Sequence, residues 1–229
     1  MVSSIKSDPG IICFQHCTAK IFSFSLPVKC PICYNKLIEI SCKLMPFRVP
    51  YPFVKAEEYP CAIVLRPTNG DFLNDYNNSM DLHIGITNSK GTIYEFDRDG
   101  LRLTSKGLTT LYGNSTNNTR IANCLWHQSL LVENASEAWH EQWDIILETV
   151  CSLSCWNADN YEEETYNCYT FVLKFIQSLK YNRSIFEAAK SKTKFCELYI
   201  IPKTVTAGKY ISLYRKIQNN GVYADPIKS

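Results

Sequence analysis

Residues 81–96 read DLHIGITNSKGTIYEF, and this stretch decides the fold class. Leu82, Ile84 and Ile86 alternate with Asp81, His83, Gly85 and Thr87, the period of a strand with two unlike faces. Asn88-Ser89-Lys90-Gly91 supplies turn residues and Thr92–Phe96 resumes the alternation, so the stretch reads as a β-hairpin. His83 stands outside the apolar row. A three-residue turn would return Glu95 and Asp97 to the face of His83, where either carboxylate can orient the imidazole.

On either side of the hairpin the pattern changes. Cys61–Leu65 is a short apolar run that Pro67-Thr68-Asn69-Gly70 stops, which reads as a further strand. Downstream, Ser136 to Cys151 has helical spacing, with Trp139, Trp143, Ile146 and Val150 on one face. A second helix opens at Asn167 and runs to about Lys180 on a stripe of Phe171, Val172, Phe175, Ile176 and Leu179. A third covers Ser184 to Lys190. Thr104 to Arg120 is rich in Ser, Thr, Asn and Gly without a period and reads as a loop. Tyr199–Ile201 reads as a strand ended by Pro202, and Tyr210–Gln218 as strand or helix. Residues 59–229 are therefore expected to be an α+β domain, an antiparallel sheet packed on helices.

The first 58 residues have another texture. They hold five of the eleven cysteines (Cys13, Cys17, Cys30, Cys33, Cys42) and are rich in proline. Ile11–Phe14, Lys20–Phe24 and Lys36–Ile40 read as short strands, and Met45–Pro52 as an extended linker, because each proline removes a donor and pushes its predecessor toward extended geometry. This is a small Cys-rich β module. Cys30-Pro31-Ile32-Cys33 has the spacing that lets two thiolates reach one tetrahedral metal from a tight turn, a zinc knuckle. Cys17 and Cys13 complete a four-ligand set for a structural zinc, with His16 as the alternative to Cys13. The competing reading makes these thiols small buried hydrophobes. No organic cofactor motif is present.

The odd cysteine number and irregular spacing argue against a secreted disulfide scaffold. With no apolar stretch of signal-peptide or membrane-helix length, the expectation is a soluble intracellular protein, cytoplasmic or nuclear. A formal net charge of +2 gives no electrostatic case for nucleic acid as partner.

Cys168 has the setting of a nucleophile. It follows Asn167, a good helix cap, and the amide donors and dipole of a helix start favour a thiolate. A nearby histidine would favour it further. Against this, Cys168, Val172, Phe175 and Leu179 share one helix face, so Cys168 also suits a core position. Glu162-Glu163-Glu164, just upstream, would oppose a thiolate unless the side chains turn away. His127, His140, Cys151 and Cys155 lack neighbours that would complete a ligand set.

Two resemblances bear on function. CPIC (30–33), LRPTNGDFL (65–73), the hairpin, YEEETYNCYTFVLKFI (161–176) and KYISLYR (209–215) resemble the makorin opposite-strand protein family along nearly the whole chain. That resemblance brings no chemistry of its own. Locally, HIGITNSKGTIYE and NCYTFV resemble the two signature segments of permuted papain-like enzymes of the lecithin:retinol acyltransferase class. In that class a strand His, a polar residue on the returning strand and a Cys opening a later helix form the active site. The resemblance implies Cys168 as nucleophile, His83 as base and a protein or acyl substrate. Glu95 stands where the class often has a second His, a departure, since a carboxylate orients an imidazole but does not replace one. The alternative is a papain-like relative without activity, acting as a binding or adaptor module.

Overall fold

The computed structural model describes residues 8–38, 42–106, 108–112, 120–121 and 125–226. Its strands in chain order are β1 (Ile12–Gln15), β2 (Ala19–Ser23), β3 (Leu44–Arg48), β4 (Ala62–Pro67), β5 (Leu82–Thr87) and β6 (Ile93–Asp97). They continue with β7 (Gly100–Ser105), β8 (Leu108–Leu111), β9 (Arg120–Ile121) and β10 (Leu130–Asn134). The helices α1 (His140–Cys151), α2 (Cys168–Leu179), α3 (Arg183–Ala188), α4 (Lys192–Phe195) and α5 (Ile201–Asn220) follow, and β11 (Val222–Pro226) ends the described chain. The fold is α+β with antiparallel sheets, and no helix among the described residues is long and apolar enough to cross a membrane.

The chain forms two units: a central one, Phe53–Ala207, and a terminal one made of Met1–Pro52 with Gly208–Ser229. The last described residues join the first ones because β11 pairs antiparallel with β2, from Val222 opposite Ser23 to Pro226 opposite Ala19.

In the terminal unit the sheet order is β11-β2-β1-β3. The expected linker Met45–Pro52 opens within the edge strand β3, which begins at Leu44 and pairs with β1 alone. An edge strand tolerates Pro46, whose missing N–H would break a central ladder. The expected strand Lys36–Ile40 is represented by the single bridge between Lys36 and Lys29, and Glu39 and Ile40 lie outside the described residues. Tyr210, Ile211, Tyr214 and Ile217 form the buried stripe of the second half of α5, settling 210–218 as helix. Tyr214 packs on Phe24 with ring centroids 5.2 Å apart.

In the central unit seven strands are ordered β10-β4-β5-β6-β7-β8-β9. The β5–β6 hairpin closes as its sequence implies: Asn88 Oδ1 accepts from the amides of Lys90 and Thr92, and Gly91 adopts φ 76°. A Cβ at Gly91 would meet the Glu57 carbonyl oxygen at 2.2 Å, so glycine is required twice over. Ser89 in the same turn bonds Asp144 of α1, fixing the hairpin to the helix. Trp143 of α1 packs edge-on against Phe175 of α2 at 4.8 Å and donates its indole N–H to the Thr87 carbonyl at 2.9 Å. With Phe171, Ile63, Leu65, Ile84 and Phe96 these are fully buried.

Two expectations for this region are corrected. The loop expected from Thr104 holds the end of β7 and all of β8; Thr104 and Thr109 face each other in a buried 2.8 Å hydroxyl contact, so their polarity conceals a strand pair. The strand expected at Tyr199–Ile201 is a π-helical turn, Cys196–Ile200, that joins α4 to α5. That wider turn ends at Ile200, two residues before Pro202, where a regular turn would set the proline ring against the carbonyl four residues earlier.

Candidate functional site

Register brings the charged residues of the sheet together. Arg66 on β4 lies directly opposite His83 on β5, and Glu95 on β6 opposite Arg102 on β7. His83 Nε2 sits 2.9 Å from Glu95 Oε2, and Arg66 Nη2 approaches the same oxygen at 3.3 Å. The other oxygen accepts from Trp126 Nε1 and Thr104 Oγ1, each at 3.4 Å. The His83–Glu95 contact is a close, buried ion pair. Glu95 is 2% and His83 5% exposed, so the charges are held together almost without water.

The third member comes from α2. Asn167 caps this helix: its side-chain oxygen accepts the Tyr169 amide at 3.0 Å, and its own amide donates to Thr170 Oγ1 at 3.2 Å. The next residue, Cys168, is 5% exposed, and its sulfur bonds the His83 ring and takes backbone hydrogen bonds at Ile84 and Tyr169. Burial pushes the Cys168 thiol up, but the bond to His83, the imidazolium charge and the two backbone bonds outweigh it and leave the pKa below its ordinary value. Burial likewise pulls His83 down, yet its bonds to Cys168 and Glu95 and their charges raise it to about 9. Burial would raise Glu95, but the bond and charge of His83, with the charges of Arg66 and Arg102, bring it to about 2.

Cys168, His83 and Glu95 are thus brought into one group. Asp97, the other carboxylate considered for orienting His83, pairs with Arg102 at 2.7 Å instead. The glutamates before α2 are all exposed; Glu163 pairs with Arg98 and Glu162 bonds Thr165. His127 is partly exposed, 3.7 Å from Glu57. Two surface clefts, one lined by Gly100, Tyr112, Cys151 and Trp156 and the other by Glu57, Lys90, Lys106 and His127, include none of the three residues.

Sequence reasoning missed the residues that support this group. Arg66 is buried, its guanidinium 4.9 Å over the Trp126 ring. Strand parity from Ile63 and Leu65 carried a signal for it, since an arginine inside an otherwise apolar strand must find a partner. Gly85 makes room for Trp126: a Cβ there would meet that ring at 2.9 Å. Trp126 itself follows residues 122–124, which are not described, and no periodicity marks it.

A second cluster lies in the terminal unit. His16, Cys17, Cys30 and Cys33 each place one ligand atom within 4.8 Å of the others. Cys17 Sγ and Cys30 Sγ are 3.7 Å apart, and Cys33 Sγ is 3.2 Å from His16 Nδ1. The cluster is geometrically compatible with a structural zinc. Cys13 is not among the four; it sits within β1, opposite Phe22 and Phe47, and is buried there, whereas His16 lies in the bend after the strand. Among the described cysteines none is disulfide-bonded; Cys124 lies outside them. Cys61 and Cys151 are buried in the central unit, and Cys42, Cys155 and Cys196 are half-buried.

Comparison with known proteins agrees with the extent of this architecture. The C-terminal model of the DUF4796 family matches residues 46–217 and its N-terminal model residues 9–37. The chain is similar to the human MKRN2 opposite strand protein, 32% identical over 221 residues that cover 95% of this chain and 90% of that protein. No solved structure matches. With both family segments matched in order and the likeness running almost end to end, the chain belongs to the DUF4796 family, alongside the makorin opposite-strand proteins.

Proposed function

We propose that the central unit carries a thiol centre for acyl chemistry, a hydrolase or acyltransferase of permuted papain-like type. The observation that carries this reading is the buried His83 ring, paired at 2.9 Å with the Glu95 carboxylate, together with a buried Cys168 that opens the capped helix α2. Cys168 as thiolate attacks the carbonyl carbon of an acyl donor, and the carbonyl π electrons move onto oxygen. As the tetrahedral intermediate collapses, His83 gives its proton to the leaving group and the thioester forms. An acceptor, water or another nucleophile, then gives its proton to His83 and attacks the thioester, and the Cys168 thiolate leaves. Glu95 stays ionised throughout and orients the ring. Backbone N–H groups at the start of α2 are the donors for the oxyanion.

A second reading, a binding or adaptor module without turnover, draws on burial: Cys168, His83 and Asn167 are each 5% exposed, which leaves the sulfur covered. Iodoacetamide labelling of Cys168, followed by peptide mass mapping at neutral pH, separates the two. The enzyme reading expects Cys168 to label ahead of the buried Cys61 and Cys151, with His83→Ala slowing it by about tenfold or more. Equal, slow labelling of Cys168 in both proteins would remove the enzyme reading and leave the module.

A further inference from the structure

Residues 24–38 carry no strand or helix apart from the Lys29–Lys36 bridge. Their internal order is a tight knuckle: the Tyr34 amide donates to the Cys30 carbonyl at 2.9 Å and the Cys30 amide to Asn35 at 2.8 Å, with Tyr34 at φ 61°. Apolar packing holds this knuckle only in part. Cys30 is fully buried against Phe14 and Ile21, with Ile32, Cys33 and Leu37 beside it, but Leu26, Val28, Tyr34 and Ile38 are exposed. A connection without regular structure, in a unit with so small a core, needs a further restraint.

The opposing bend supplies one. Residues 16–18 turn the chain from β1 into β2, and they present His16 and Cys17 to the knuckle. We infer that Cys17, Cys30, Cys33 and His16, through Nδ1, bind one tetrahedral zinc ion as a closed site, and that the metal ties the knuckle to the β1–β2 hairpin. The Cys17–Cys30 separation of 3.7 Å matches the edge of a tetrahedron with Zn–S bonds of about 2.3 Å, which is about 3.8 Å. It is far from a disulfide bond of about 2.05 Å. Three thiolates and an imidazole select zinc over calcium or magnesium, which take oxygen ligands. Four protein ligands leave no coordination position for substrate, so the ion is structural. Each thiol gives its proton to solvent as its sulfur binds. Cys13 stays in β1 and takes no part.

The test uses the full chain purified without chelator, with metal content measured by mass spectrometry and cobalt(II) exchange followed in the visible spectrum. The expected result is about one zinc per chain and the intense absorption of tetrahedral cobalt thiolate. Cys13→Ser keeps the full metal content. Cys30→Ser and Cys33→Ser lose it, His16→Cys keeps it, and His16→Ala gives the metal up to a competing chelator at least about tenfold more readily. Wild-type protein with neither zinc nor the cobalt spectrum would overturn the inference whatever the variants do. So would metal loss in Cys13→Ser with metal retained in His16→Ala.

Discussion

The central and terminal units each gather cysteine and histidine, and they do so under opposite conditions. In the central unit Cys168 and His83 sit beside a core of Trp143, Phe171, Phe175, Phe96 and the strands β4 and β5, all but dry. Such a core can hold Arg66, Glu95 and His83 together without water, although isolated charges there would be very costly. In the terminal unit His16, Cys17 and Cys33 are only partly buried, around a small cluster of Phe14, Ile21 and Cys30. On the zinc ligation inferred above, the thiols there make up for a core too small to hold a long connection. Under the two proposals taken together, the same residue types serve reactivity where packing is ample and cohesion where it is scarce.

The sharpest way to break this contrast is to remove the charge that the central group depends on. Glu95→Gln leaves Arg66 buried without its ionic partner and His83 without its carboxylate, and should cost about 3 kcal/mol in urea unfolding. No ligand of the terminal cluster is touched, so metal content should stay at the wild-type level. The pH dependence carries the same signature. Glu95 has a folded-state pKa of about 2 against an ordinary 4.5, so the unfolded chain takes up the proton first as pH falls. Its contribution is complete above pH 4.5 and is lost as pH drops toward 2. The acid limb of the stability profile should therefore be shallower in Glu95→Gln than in wild type. Profiles that superimpose would show that the ion pair contributes nothing.

A smaller effect comes from Arg66, which shares Glu95 Oε2 with His83. Arg66→Met keeps most of the stem that packs on Trp126 and leaves Glu95 Oε2 to His83. The imidazolium should then hold its proton to higher pH, rising by about one unit in ring NMR titration at a cost of about 1–2 kcal/mol. A His83 pKa that falls instead would mean that Arg66 keeps Glu95 in place and that its charge is secondary.

What the sequence disclosed follows from how local each signal was. The β5–β6 hairpin, the α2 cap and the Cys30–Cys33 spacing are each contained within a short run of consecutive residues, and all three were legible. The choice of Glu95 over Asp97 was not, because it depends on Arg102 from β7 claiming Asp97 and on Arg66 and Trp126 holding Glu95. Strand β8 was concealed because Thr104 and Thr109 satisfy each other, so a polar stretch is buried. The choice of His16 over Cys13 turns on where β1 ends, and Gln15 is its last residue. The return of β11 to β2 joins chain segments some two hundred residues apart, and no local pattern announces such a pairing.

The smallest expected effect is also the most specific. Asn167 and Asn182 cap α2 and α3 in the same way, each accepting the amide two residues on, at 3.0 and 2.8 Å. Replacing either with Ala should cost about 1 kcal/mol, the usual worth of a cap. Only Asn167 adjoins the thiol. If the start of α2 helps to hold Cys168 as thiolate, Asn167→Ala should raise the pH midpoint of its alkylation by a few tenths of a unit, while Asn182→Ala leaves that midpoint unchanged. An equal stability loss with no midpoint shift in either variant would assign the low pKa of Cys168 to His83 alone and reduce Asn167 to a structural cap.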